Sequence, residues 1–168
     1  MKRPFIAWQA TLPALFLFAA CGQEGAETVP TAAEPAAKME MEPTRAPAAM
    51  ARTPSTDGAQ VFFITPADGE VVSNPIRLEF GLNGMEVAPA GDKRPGSGHH
   101  HLVIDAGLPD FGLPVPADQH HIHFGGGSSQ VELTLPAGQH TLQLLLADYL
   151  HVPHDPPVFS KRITITVE

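Results

Sequence analysis

Three stretches of this chain alternate apolar and polar side chains with a period of two, and that alternation restricts the fold more than any other feature. Ile76, Leu78, Phe80 and Leu82 are interleaved with Arg77, Glu79, Gly81 and Asn83. Val131, Leu133 and Leu135 are interleaved with Glu132 and Thr134, and Ile163, Ile165 and Val167 with Arg162, Thr164 and Thr166. Successive side chains of a strand point to opposite faces, so each run predicts a half-buried strand. Val61 to Ile64, Leu102 to Ile104 and His140 to Ala147 predict further strands, the last with Leu142, Leu144 and Leu146 facing inward. Pro66-Ala67-Asp68-Gly69, Asn74-Pro75 and Leu135-Pro136-Ala137-Gly138 mark turns between them. No helical stretch of useful length is present. The pattern predicts an all-β fold, an immunoglobulin-like antiparallel sandwich, with a cupredoxin-like or jelly-roll sandwich as the alternative.

The chain ahead of these strands reads as export and tethering. Lys2 and Arg3 precede an apolar stretch from Phe5 to Phe18 that Gln9 and Pro13 interrupt, and Ala19-Ala20-Cys21 follows. The stretch is too short for a membrane span and fits a signal peptide over residues 1–20. Cys21 stands where the acylated cysteine of a bacterial lipobox stands, which predicts a membrane partner through a lipid anchor at Cys21. Gly22 in the next position favours the outer membrane if the envelope is Gram-negative, so the expected location is periplasm-facing or the cell surface. Residues 21–58 are rich in Pro, Ala, Glu and Thr and predict a disordered linker. Met39, Met41 and Met50 within it are read as incidental. The folded domain is expected over residues 59–168. The formal net charge is −8, which excludes nucleic acid as a natural partner.

All nine histidines fall between His99 and His154, mostly in three knots. Imidazole is the commonest metal ligand, so three knots in one small domain point to a shared metal site. With the lone cysteine spent on lipid, the domain has no thiolate ligand; blue copper is excluded, and the remaining ligands suit zinc or copper(II) as cofactor better than an iron–sulfur cluster. Alternation turns Leu102, Ile104 and His100 inward and His99, His101 and Asp105 to the opposite face. In the same way Ile122 and Phe124 face inward and His121 and His123 outward. Residues two apart on a strand are roughly 6.6 Å apart, a spacing from which two imidazoles can converge on one ion. If the two segments are neighbours, four imidazoles face one another. The third knot, His151-Val152-Pro153-His154-Asp155-Pro156-Pro157, is a stiff loop that loses little entropy on binding. The candidate ligands are His99, His101, His121, His123, His151 and His154. His140 follows Pro136-Ala137-Gly138-Gln139 into a late strand and is assigned a structural role, bonding back to the backbone as the corner tyrosine of a sandwich does.

No catalytic residue is assigned. Phe124-Gly125-Gly126-Gly127 lacks the lysine and the helix that a phosphate loop needs, and is read as a flexible loop or a close backbone approach beside His121-Ile122-His123. Ser97, Ser128 and Ser129 sit in no nucleophile-elbow pattern.

Ser97-Gly98-His99-His100-His101-Leu102-Val103-Ile104-Asp105, His123-Phe124-Gly125-Gly126-Gly127, His140-Thr141-Leu142-Gln143-Leu144-Leu145-Leu146 and His151-Val152-Pro153-His154-Asp155-Pro156-Pro157-Val158 resemble a bacterial exported domain of unknown function, family 4399. The resemblance spans most of residues 61–167. It implies a small extracytoplasmic module with these histidine motifs and carries over no activity. The leading expectation is a cell-envelope lipoprotein that binds zinc or copper. Its alternatives are an envelope binding or structural module whose histidines form a hydrogen-bonded network, and a metal enzyme using Asp105, Asp118 or Asp155 as base.

Overall fold

The structure, a computed structural model, describes residues 48–168. The predicted signal peptide, Cys21 and most of the linker lie outside these residues. Nine strands follow in order: β1 (Gln60–Thr65), β2 (Val71–Val72), β3 (Ile76–Asn83), β4 (Glu86–Val87), β5 (Ser97–Ile104), β6 (His121–His123), β7 (Gln130–Leu133), β8 (Gly138–Ala147) and β9 (Ile163–Val167). Among the described residues there is no helix. The fold is all-β, as expected, and forms two sheets consistent with a sandwich.

One sheet has the order β1-β3-β7 and the other β2-β9-β8-β5-β4, with β6 pairing β5. The main ladders are antiparallel; only the two-residue strands β2 and β4 add in parallel, to β9 and β5. The core lies between the sheets. Val61 of β1 and Ile76, Leu78 and Phe80 of β3 meet Leu102, Ile104, Leu142, Leu144, Leu146, Ile163, Ile165 and Val167 from the larger sheet. Each of these side chains removes enough apolar surface from water to contribute roughly 1.5–3 kcal/mol, so the period-two pattern determines which face turns inward.

Strand β8 departs from simple alternation. Leu145 and Ala147 are as fully buried as Leu142, Leu144 and Leu146. They face away from the main core and pack with Val115, Leu108 and Phe111. The segment between β5 and β6 therefore covers the outer face of the larger sheet, and all eight residues of β5 are buried beneath it. A strand buried on both faces reads as the continuous run Leu144-Leu145-Leu146, which alternation alone does not distinguish.

His140 holds the corner expected of it. Its Nε2–H donates to the Pro136 carbonyl at 3.0 Å, and its Nδ1 lies 2.6 Å from Asp105 Oδ2. Asp105 also accepts the Thr141 amide at 2.7 Å. Two acceptors around one imidazole require both ring nitrogens to be protonated. The Asp105 hydrogen bond accordingly raises the His140 pKa. Burial pushes the Asp105 carboxyl up, but the bonds from Thr141 and His140 outweigh it and hold it below the usual range.

Candidate metal centre

The pleat of β5 sends His99 and His101 to the outer face of the larger sheet and His100 to the core. His99 lies opposite Ala147 and His101 opposite Leu145, the two β8 residues that also face outward. His100 instead packs on Phe80, ring centroids 5.2 Å apart. Strand β6 runs antiparallel along β5 with His123 directly across from His101. The two histidine segments are thus neighbours, the condition on which convergence depended.

His151 arrives from the loop after β8. Asp148 ends that strand and organises the turn: Oδ1 accepts the amides of Leu150 (2.8 Å) and Val152 (3.0 Å), and its carbonyl accepts the His151 amide at 2.9 Å. His151 itself adopts φ 67°, a left-handed conformation that histidine visits more readily than most residues. Its carbonyl accepts the Val115 amide at 2.8 Å, which ties the loop to the covering segment. The turn folds back along β8 and places the His151 ring beside His99.

Four imidazoles result, drawn from three separated segments. Ring centroids are 4.9 Å apart for His99–His101, His99–His123 and His99–His151, 5.1 Å for His101–His123 and 4.6 Å for His123–His151. The Nε2 atoms of His99 and His101 are 3.0 Å apart, and those of His123 and His151 3.1 Å. One nitrogen from each of His99, His123 and His151 lies within 4.8 Å of the other two, an arrangement that can hold a metal ion. Ion–nitrogen bonds of about 2.0–2.1 Å place tetrahedral ligands about 3.3 Å apart and adjacent square-planar ligands about 2.9 Å apart, so the short pairs suit either geometry.

Burial favours the neutral form of His99, His101 and His123. It lowers the His99 pKa to about 4, with help from the His123 and His151 rings and against the pull of Asp148. His101 falls to about 2 for the same principal reason, reinforced by His99, His123 and His151. His123 is lowered by burial and then by His151. A neutral imidazole keeps one N–H and offers a lone pair on its other nitrogen, which is the form that ligates. Exposure is graded across the group: His99 and His101 are fully buried, His151 is half-buried and His123 is exposed.

Gly125 accounts for the position of His123. A Cβ at Gly125 would collide with the His123 ring, so the ring lies directly against glycine backbone. This is the close approach expected of the glycine run.

His121 and His154 are engaged elsewhere. His121 lies across from Val103, and its Nδ1 is 2.8 Å from Asp118 Oδ1. The same hydrogen bond holds the Asp118 carboxyl below the usual range. His154 is buried, with Nδ1 2.8 Å from the Thr53 hydroxyl. That hydroxyl lies 3.1 Å from Asp148 Oδ2 and can donate its single proton there, so it accepts from His154 Nδ1–H. A cleft of about 250 Å³ lined by Thr53, Lys93, Arg94, Tyr149, Asp148 and His154 opens beside this group.

Fold and side-chain arrangement define a β-sandwich domain whose larger sheet carries a four-histidine cluster on its outer face. Residues 78–168 match the family described as "Domain of unknown function (DUF4399)", and the chain belongs to that family. No curated protein and no solved structure matches the chain.

Proposed function

We propose that this protein is a metal-binding lipoprotein of the cell envelope. In this reading zinc or copper is held by His99, His123 and His151, with His101 as the fourth imidazole, and Cys21 anchors the chain to the membrane so that the domain faces the periplasm or the cell surface. The observation that carries the reading is the convergence of imidazole nitrogens from β5, β6 and the Asp148 turn, with pairs 3.0 and 3.1 Å apart. An ion supplies one attractive centre for nitrogens that otherwise meet only in pairs.

A metal-free reading draws on the same two contacts, each taken as an N–H···N hydrogen bond. Nδ1 of both His99 and His101 is buried without a partner in this reading, as it is with an ion held on Nε2, so the contacts alone do not separate the two. Tag-free protein carrying Cys21→Ser, so that no thiol contributes, tests the choice by elemental analysis and by titration with zinc and copper(II). Stoichiometric binding that His99→Ala abolishes supports the metal centre. Binding no tighter than scattered surface histidines, with the fold intact, leaves the hydrogen-bonded network as the function of the cluster.

A further inference from the structure

The segment just ahead of β1 is bound to the loop that carries the cluster's third knot. Arg52 donates Nε–H to the Pro153 carbonyl at 3.0 Å, reaches the His154 carbonyl with Nη2, and pairs with Asp155 Oδ1 at 3.2 Å. The backbone joins it: the Ser55 amide donates to the Asp155 carbonyl at 3.0 Å and the Asp155 amide to the Thr53 carbonyl at 2.9 Å. The Thr53 hydroxyl then meets Asp148 Oδ2, on the carboxylate whose other oxygen holds the amides on either side of His151.

We infer that Arg52–Ser55 is a strap that sets the affinity of the histidine cluster for its metal, with Thr53 and Asp148 as the positioning residues. The inference rests on the proposed metal centre. Its physical basis is a chain of three links. The Thr53 hydroxyl fixes the orientation of a carboxylate that is itself 2% exposed. That carboxylate fixes the turn in which His151 holds φ 67°. The turn fixes the His151 ring against His99 and His123. Losing the first link leaves the Asp148 carboxylate held through Oδ1 alone, and the left-handed turn then has fewer bonds to offset its conformational cost. Arg52–Ser55 lies ahead of the matched region 78–168.

Thr53→Val removes the hydroxyl while keeping the shape, and Thr53→Ser keeps the hydroxyl. Three readouts apply to the tag-free chain: zinc and copper(II) dissociation constants, the electron paramagnetic resonance spectrum of the copper(II) form, and hydrogen exchange of the Leu150 and Val152 amides without metal. We expect Thr53→Val to weaken binding about tenfold, as loss of supporting hydrogen bonds around ligands does, to alter the copper spectrum and to speed exchange at both amides. Thr53→Ser restores all three. Exchange at Leu144, in the middle of β8, stays slow and marks the change as local. Unaltered affinity, spectrum and exchange in Thr53→Val overturn the strap while leaving the metal centre standing. Failure of the unsubstituted protein to bind either metal overturns the metal centre, and the strap's claim on affinity with it.

Discussion

Replacing His100 with leucine tests how the histidine motif is divided between core and surface. Both ring nitrogens of His100 are buried without a hydrogen-bond partner, and the ring packs against Phe80 inside the main core. Burial lowers its pKa to about 4; the Ser128 backbone opposes this in part without forming a hydrogen bond of normal geometry. At pH 7 the substitution removes polar atoms that fold into an apolar setting unsatisfied, so His100→Leu gains about 1–3 kcal/mol. Acid widens the gap. An unfolded chain takes up a proton on His100 near pH 6.5, whereas the folded one resists until about pH 4. The unfolded state therefore binds more protons between these values, and the stability of the histidine form falls as pH drops through that window. The slope is up to about 1.4 kcal/mol per pH unit, or about 3 kcal/mol by pH 4, and the leucine variant lacks it. His99 and His101 add slopes of their own in both proteins, and His100 is the smallest of the causes that lower His99, so the difference reports chiefly on His100. The sole tryptophan, Trp8, lies in the predicted signal peptide, so urea unfolding at pH 7, 6 and 5 is best followed by far-ultraviolet circular dichroism. A variant less stable than the parent at pH 7, with a gap that does not widen in acid, refutes the placement of His100 as an unpaired core residue.

Gly125→Ala displaces the His123 ring and is expected to weaken metal binding at least tenfold, whereas Gly126→Ala, whose Cβ meets nothing within 4 Å, leaves binding unchanged in the same calorimetric titration. His121→Ala and His154→Ala shift the zinc dissociation constant by less than about threefold while His99→Ala raises it more than a hundredfold, a contrast that competition with a chromophoric chelator resolves. Zinc at a hundred times its dissociation constant adds about 2.7 kcal/mol to folding, and a chelator returns the melting temperature to the metal-free value. Asp105→Asn removes the carboxylate whose hydrogen bond and charge raise the His140 pKa; nuclear magnetic resonance titration then shows that pKa lower than in the parent.

Much of the fold was legible because burial on one face imposes alternation. β3, β7 and β9 follow their apolar registers, and the same logic placed His100 inward and His99, His101 and His123 outward. Two things escaped it. Leu145 and Ala147 are covered by the segment around Phe111 and Val115, and a strand buried on both faces carries no alternation from which that cover could be inferred. The second gap concerns pairing: sequence gives the face of a side chain but not its neighbour across the ladder. His121 and His123 look equivalent in the chain, and only the register that sets His123 against His101 separates them. Asp148 was visible only as the end of a strand, although an aspartate whose side chain can bond amides two and four residues on is a known turn former. Thr53 gave no signal, since it stands in a segment whose composition reads as linker.

The pairing of β1 with β3 bears on how this domain is cut for expression. β1 supplies Val61 to the core and covers one side of β3 from Gln60 to Thr65. A fragment trimmed to the family's extent, starting at residue 78, loses β1 and the first two residues of β3. What remains of β3 then carries a row of free backbone donors and acceptors beside an uncovered apolar face. Edges of that kind recruit other strands, so such a fragment is expected to accumulate as aggregate, while one starting near residue 48 stays monodisperse.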